Sequence, residues 1–243
     1  MHKNKKVTAL VVSAVMTAVG GGAAMVAVSA SAAARASVVD PSNFTNPKAN
    51  PYFPIKPGMH WVLRGGDTSE RLVEHMRVTH KTKTIQGVTV RVIRDVLRRT
   101  DGSVAEATYD YYVDDNAGNV WYFGEDTATY KPNGQVESRD GTWRAGRHGA
   151  RPGIIMKANP KPTDAYRQEF QRGVAEDQAW TVQTNAVQTV PAGTFHHVVR
   201  SFEWSRLERA NISVKFYAPG VGEISEGDVV GGTEKFVLVS YGG

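Results

Sequence analysis

Val88-Thr89-Val90-Arg91-Val92-Ile93 alternates apolar and polar side chains, the period-two pattern of a strand that presents one face to a core. Thr100-Asp101-Gly102 follows, and Asp-Gly supplies the positive φ that a tight hairpin needs. Thr108 to Val113 and Val120 to Phe123 are dense in Tyr, Trp, Phe and Val, with Asn116-Ala117-Gly118-Asn119 as the turn between them. These residue types fit a pleated surface and its turns. Working outward, Pro57-Gly58 leads into Met59-His60-Trp61-Val62-Leu63, and Lys131-Pro132-Asn133-Gly134 turns the chain again. Later segments Tyr166–Phe170, Trp180–Thr189, Thr194–Trp204, Ile212–Tyr217 and Lys235–Tyr241 repeat the pattern. No amphipathic helix of convincing length interrupts them. The run from Thr84 to Val120 and the run from Thr189 to Gly222 have similar order and spacing. The expectation is an all-β chain: one curled antiparallel sheet forming a half-barrel or barrel, built of two similar meanders. The looser stretch from Gly141 to Pro162 is expected to fill or cover it.

Residues 1–36 read as a signal peptide. Lys3, Lys5 and Lys6 precede an apolar run from Val7 to Val28, and small-x-small sites follow at Val28-Ser29-Ala30, Ala30-Ser31-Ala32 and Ala34-Arg35-Ala36. These are the three parts of a cleavable secretory leader. An uncleaved anchor is the alternative, which the Gly20-Gly21-Gly22 triplet weakens. Residues 37–57 hold five prolines and read as an extended segment lying outside the core; residues 58–243 form a single β domain. The expected localisation is secreted, extracellular or associated with the cell envelope, with no membrane span after cleavage. The absence of cysteine excludes disulfides and N-terminal lipidation. From Ser37 onward there are 25 Lys and Arg against 24 Asp and Glu, a net charge of +1. The basic pI therefore belongs mostly to the leader and gives no support to nucleic-acid binding.

Val190-Pro191-Ala192-Gly193-Thr194-Phe195 and Phe216-Tyr217-Ala218-Pro219-Gly220-Val221-Gly222-Glu223-Ile224 resemble the C-terminal part of LolA/LolB-like and TapB-like (DUF3108-like) bacterial exported β-proteins. The resemblance covers about fifty residues and rests largely on turn glycines. It implies a twisted half-barrel with a hydrophobic cavity that holds an acyl chain. Gly118 to Glu125, Tyr166 to Glu169 and Ala175 to Asp177 also resemble a group of uncharacterised secreted bacterial proteins, which implies no activity.

Glu106, Asp110, Asp114, Asp115, Glu125 and Asp126 crowd one hairpin. Asp114, Asn116 and Glu125 fall at positions 1, 3 and 12 of a calcium-loop count, although Asn119 replaces the turn glycine at position 6. Calcium is the one metal these residues suggest; no other cofactor is expected. Glu169, Glu176 and Asp177 are the candidate catalytic carboxylates of a glycosidase-like site, with surface ion pairing as their ordinary use. The six histidines beyond the leader lack metal-ligand spacing, and no Gly-x-Ser-x-Gly elbow is present. Tyr112, Trp121, Phe123, Tyr166 and Trp204 are the candidate ligand-binding residues, core packing being the competing use. The functional expectation is a non-enzymatic exported protein that binds an apolar or amphipathic small molecule, such as a lipid, in a β-sheet cavity. The alternatives are an extracellular carboxylate-dependent hydrolase acting on envelope or polysaccharide material, and an envelope-associated interaction domain with no small ligand.

Overall fold

The computed structural model describes residues 39–243; the leader lies outside the described residues. Fifteen strands form one antiparallel sheet that curls into a nearly closed barrel. The first half is a meander of β1 (His60–Gly66), β2 (Arg71–Ile85), β3 (Val88–Arg99), β4 (Val104–Asp114) and β5 (Val120–Tyr130). The second is a meander of β11 (Asp177–Val190), β12 (Gly193–Ser205), β13 (Ile212–Ala218), β14 (Gly222–Val230) and β15 (Lys235–Gly242). The halves join where β15 pairs with β1, from His60 opposite Gly242 to Gly66 opposite Lys235.

Short strands complete the circuit. β6 (Val136–Ser138), β7 (Trp143–Arg144) and β8 (Arg151–Met156) all pair with β5. β9 (Ala165–Arg167) pairs with β11, and β10 (Glu169–Phe170) pairs with β8. Because β9 and β10 are consecutive in the chain, the two ends of the sheet meet there. Gly153 lies at that seam, where a Cβ would come within 2.5 Å of the Arg167 carbonyl oxygen and of the Gln168 backbone. Gly124 (φ 131°) plays the same part beneath β7, since a side chain there would collide with the Trp143 and Arg144 backbone. The stretch expected as loose filler thus extends the sheet, and it also sends Trp143 inward, opposite Glu125.

The N-terminal segment departs from the sequence expectation. It is not a tether outside the core: Asn50 and Phe53 are buried. Asn50 Nδ2 donates to the carbonyls of Gly118 (2.7 Å) and Lys157 (3.0 Å), while its Oδ1 accepts from the amides of Tyr52 and Phe53. Lys48 N–H donates to the Asp115 carbonyl and Gly220 N–H to that of Pro51. A proline-rich segment cannot join a sheet ladder, but its remaining polar groups need partners once buried. The open end of the barrel supplies them. A 3-10 turn over Pro41–Phe44, capped by Asp40, sets Phe44 edge-on against Trp121 and Phe123 at 5.9 and 5.7 Å between ring centroids.

Candidate functional site

Strand register decides what the barrel encloses. Leu72, Glu74, Met76 and Val78 share the inner face of β2, and Glu74 lies opposite Leu97 while Met76 lies opposite Asp95. Asp95 is opposite Thr108, Leu97 opposite Glu106, and Ile93 opposite Asp110; Asp110 in turn faces Glu125. In the second half Lys215 sits between Ser201 and Glu226, and Tyr217 is opposite Glu223. The interior is therefore an acidic belt. Glu74, Asp95, Glu106, Asp110, Glu125, Glu169, Asp177, Glu223 and Glu226 are all buried, and Lys215 is the only buried lysine or arginine among the described residues.

Lys215 Nζ approaches Glu226 at 3.1 Å, Glu223 at 3.6 Å and Glu203 at 3.8 Å. Burial works against its charge, but Glu223, Glu226 and Glu203 together hold the ammonium well above its ordinary pKa. On the opposite wall there is no such cation. Burial first, and the neighbouring Asp95 next, push Glu74 well above the usual carboxylate range. Burial and then Asp110 do the same to Glu125, and burial and then Asp177 to Glu169. Asp110 and Asp177 are raised by burial to about 7, although Asp110 accepts from Tyr122 Oη at 2.7 Å. Nine buried oxygens of Glu74, Asp95, Glu125, Glu169, Asp177 and Glu223 have no hydrogen-bond partner, whereas buried polar groups are ordinarily satisfied.

An aromatic wall adjoins the belt. Tyr112 stacks on Tyr122 (4.5 Å between centroids, 18° between planes), Trp143 meets Tyr122 edge-on at 5.3 Å, and Phe53 packs on Tyr112 at 5.0 Å. The barrel thus juxtaposes a carboxyl-lined surface and an apolar one.

The residues singled out from sequence are distributed over several places. Tyr112 and Tyr166 face inward, Tyr166 lying opposite Ala179 on β11. Trp121 and Phe123 are on the other face of β5, under Phe44. Trp204 lines a separate outer groove of about 820 Å³ together with Glu176, Leu207, Arg209 and Ile212. The five proposed ligand-binding residues are not brought together. Glu169 and Asp177 are neighbours inside the barrel, but Glu176 stays outside, where it accepts from Gly173 N–H. Of the calcium candidates, Asp114 accepts from Asn50 N–H and Asn116 from Asn46 N–H. Glu125 lies in the interior, opposite Asp110 rather than Asp114. The β4–β5 ladder pulls them apart because a strand rises about 3.3 Å per residue, where a calcium loop would fold back. No cluster of three or more His, Asp or Glu side chains with metal-binding geometry occurs among the described residues.

Sequence reasoning missed Glu74, Asp95, Lys215, Glu223 and Glu226. One signal was there: in Leu72-x-Glu74-x-Met76-x-Val78 an acid occupies the apolar phase of the alternation, so it points with the core residues.

Among the described residues no helix is long and apolar enough to cross a membrane. No family model matches the sequence, and no curated protein matches it. Two solved structures are similar to this chain. One is a protein from Bacteroides fragilis, designated as exported and of YmcC-like fold, with 13% identity over 80% of this chain and all of that one, at a TM-score of 0.47. The other is a protein from Parabacteroides distasonis, designated a lipoprotein, with 15% identity over the same share of each chain, at a TM-score of 0.42.

Proposed function

We propose that this chain is an exported, non-enzymatic binding protein whose barrel takes an amphipathic small molecule with a cationic head. The observation that carries the reading is the set of nine buried carboxyl oxygens without a hydrogen-bond partner next to the Phe53–Tyr112–Tyr122 wall. Thirteen strands succeed one another around the sheet, and barrels of about eight strands or more are able to hold a small ligand between their inner side chains. An ammonium head supplies the donors and positive charge that the oxygens of Glu74, Glu125 and Glu169 lack, and an apolar tail suits the aromatic wall. The export part of the reading rests on the leader. This keeps the amphipathic ligand expected from sequence and gives its head a charge.

Dodecylamine, dodecanol and dodecanoate share one chain and differ in the head. Binding of each to the folded protein, followed by native mass spectrometry and calorimetry at pH 8, separates the readings. Selective binding of the amine, weakened by Glu74→Gln and Glu223→Gln, is the expected result. Preference for dodecanoate, or binding of none of the three, would overturn it.

A second reading draws on Glu169 and Asp177 alone. A carboxyl that burial raises well above the usual range beside one raised to about 7 is the kind of pairing a general acid makes with its base. Hydrolysis of an envelope polysaccharide that Glu169→Gln abolishes, with the fold retained, would favour it.

A further inference from the structure

Folding separates the charges of this chain. Eleven of the 24 acids are buried, but only one of the 25 lysines and arginines in residues 39–243. Twenty-four cations and thirteen acids remain outside, so a chain of almost balanced composition presents a surface excess of eleven positive charges.

Part of that excess is ordered. On the outer face of the sheet His60, Arg77 and Arg94 stand directly opposite one another across β1, β2 and β3, and Arg64, Val73 and Arg98 form a parallel row. His75 lies between the rows, flanked by Val62 and Val96. No acid occupies an outward position of these three strands, and Arg64, Arg77 and Arg94 form no ion pair with a described residue. Arg98 donates to the Gly102 carbonyl. Like charges directly opposed across a ladder are destabilising, and no ion pair among the described residues offsets Arg77 against Arg94. The field is felt locally: burial, followed by Arg98 and then Arg64, lowers the pKa of His75.

We propose that this face docks the protein on an anionic lipid surface. With strands about 4.8 Å apart and residues about 3.3 Å apart along them, the cations form a two-dimensional array. It has no groove to guide a linear polymer. Half-buried Val62 and Val73 lie between the arginines, and Tyr109, which is 43% exposed, extends the row beyond Arg94. This is the mixture of cations, short apolar side chains and an interfacial aromatic that suits a headgroup layer. The inference stands without the ligand proposed above, because it concerns the opposite face of the sheet.

The test is co-sedimentation with phosphatidylcholine vesicles with and without about 30% phosphatidylglycerol, using the chain from Ser37 onward. Binding to the anionic vesicles, falling steeply as salt rises from about 0.1 M, is expected. Arg77→Gln with Arg94→Gln should lower the partition coefficient roughly 30-fold, at about 5-fold for each charge removed. Arg139→Gln with Arg147→Gln, exposed elsewhere, should change it less than about 3-fold by the same reasoning. Near-UV circular dichroism checks that both variants are folded. Equal partition onto neutral vesicles, equal loss in the two double variants, or capture by soluble polyphosphate without vesicle binding would each overturn the proposal.

Discussion

Replacing Lys215 by Met keeps most of the side-chain length and removes the buried cation. Its ammonium lies within 3.8 Å of Glu203, Glu223 and Glu226, and the lysine side chain is only 7% exposed. Removing one partner of a buried ionic group leaves the others uncompensated and costs about 3–5 kcal/mol. For a domain of about two hundred residues each kcal/mol moves Tm by about 2–4 °C, so a drop of roughly 10 °C is expected. The sign of its pH dependence separates charge from packing. Without Lys215, Glu223, which burial already raises, holds its proton more tightly in the folded state than in the unfolded one, and stability then falls as pH rises. At pH 8 the full loss should appear; at pH 5 protonation of Glu223 should reduce it by about half. Calorimetric melts at the two pH values measure this, and Lys215→Met combined with Glu226→Gln should recover part of the loss. Equal losses at both pH values would show that Lys215 acts through packing, and the electrostatic account of the belt would be wrong.

The unaltered protein should itself be more stable near pH 5 than at pH 8. An unfolded Asp loses its proton near 3.8, whereas Asp110 and Asp177 keep theirs to about 7. The folded state therefore binds more protons in that window, and each group withdraws about 4 kcal/mol between pH 4 and pH 7; a flat urea midpoint across this range would contradict the assignment. Gly153→Ala should force β8 from the Arg167–Gln168 backbone and cost about 3 kcal/mol, read as a lower denaturation midpoint. Asn50→Ala should cost about 2 kcal/mol, because the Gly118 and Lys157 carbonyls lose their donor. Limited proteolysis should then cut first among residues 45–58, and an unchanged cleavage pattern would show that the Asn50 hydrogen bonds do not hold this segment in place.

The sheet was legible in the sequence wherever one face of a strand is regularly apolar or aromatic. Val88–Ile93 and Val120–Phe123 announce strands, and the turns at Gly102, Gly118 and Gly134 lie where their residue types place them. β14 is not among the segments that the sequence pattern marks as strands, because Glu223, Ser225, Glu226, Gly227 and Asp228 crowd it. The same property hides the belt: inward carboxyls erase the alternation by which an inner face is recognised. The nearness of Glu169 and Asp177 depends on β9 and β10 meeting β11 and β8 at the seam, and no local pattern encodes that closure. The exposed basic rows were hidden for a related reason, since net charge does not reveal which sign is buried.

The pairing of β1 with β15 has a kinetic consequence. The strand beginning at His60 finds its second neighbour only after residues 235–242 are available, so the last ladder to form spans nearly the entire domain. Closing so long a loop is slow relative to forming the hairpins within each meander. Any machinery that handles the chain from its N-terminal end meets separate, open hairpins until residues 235–242 are made. A holding factor that covers the unpaired edge of β1 would therefore have its longest period of use on this protein before residues 235–242 emerge.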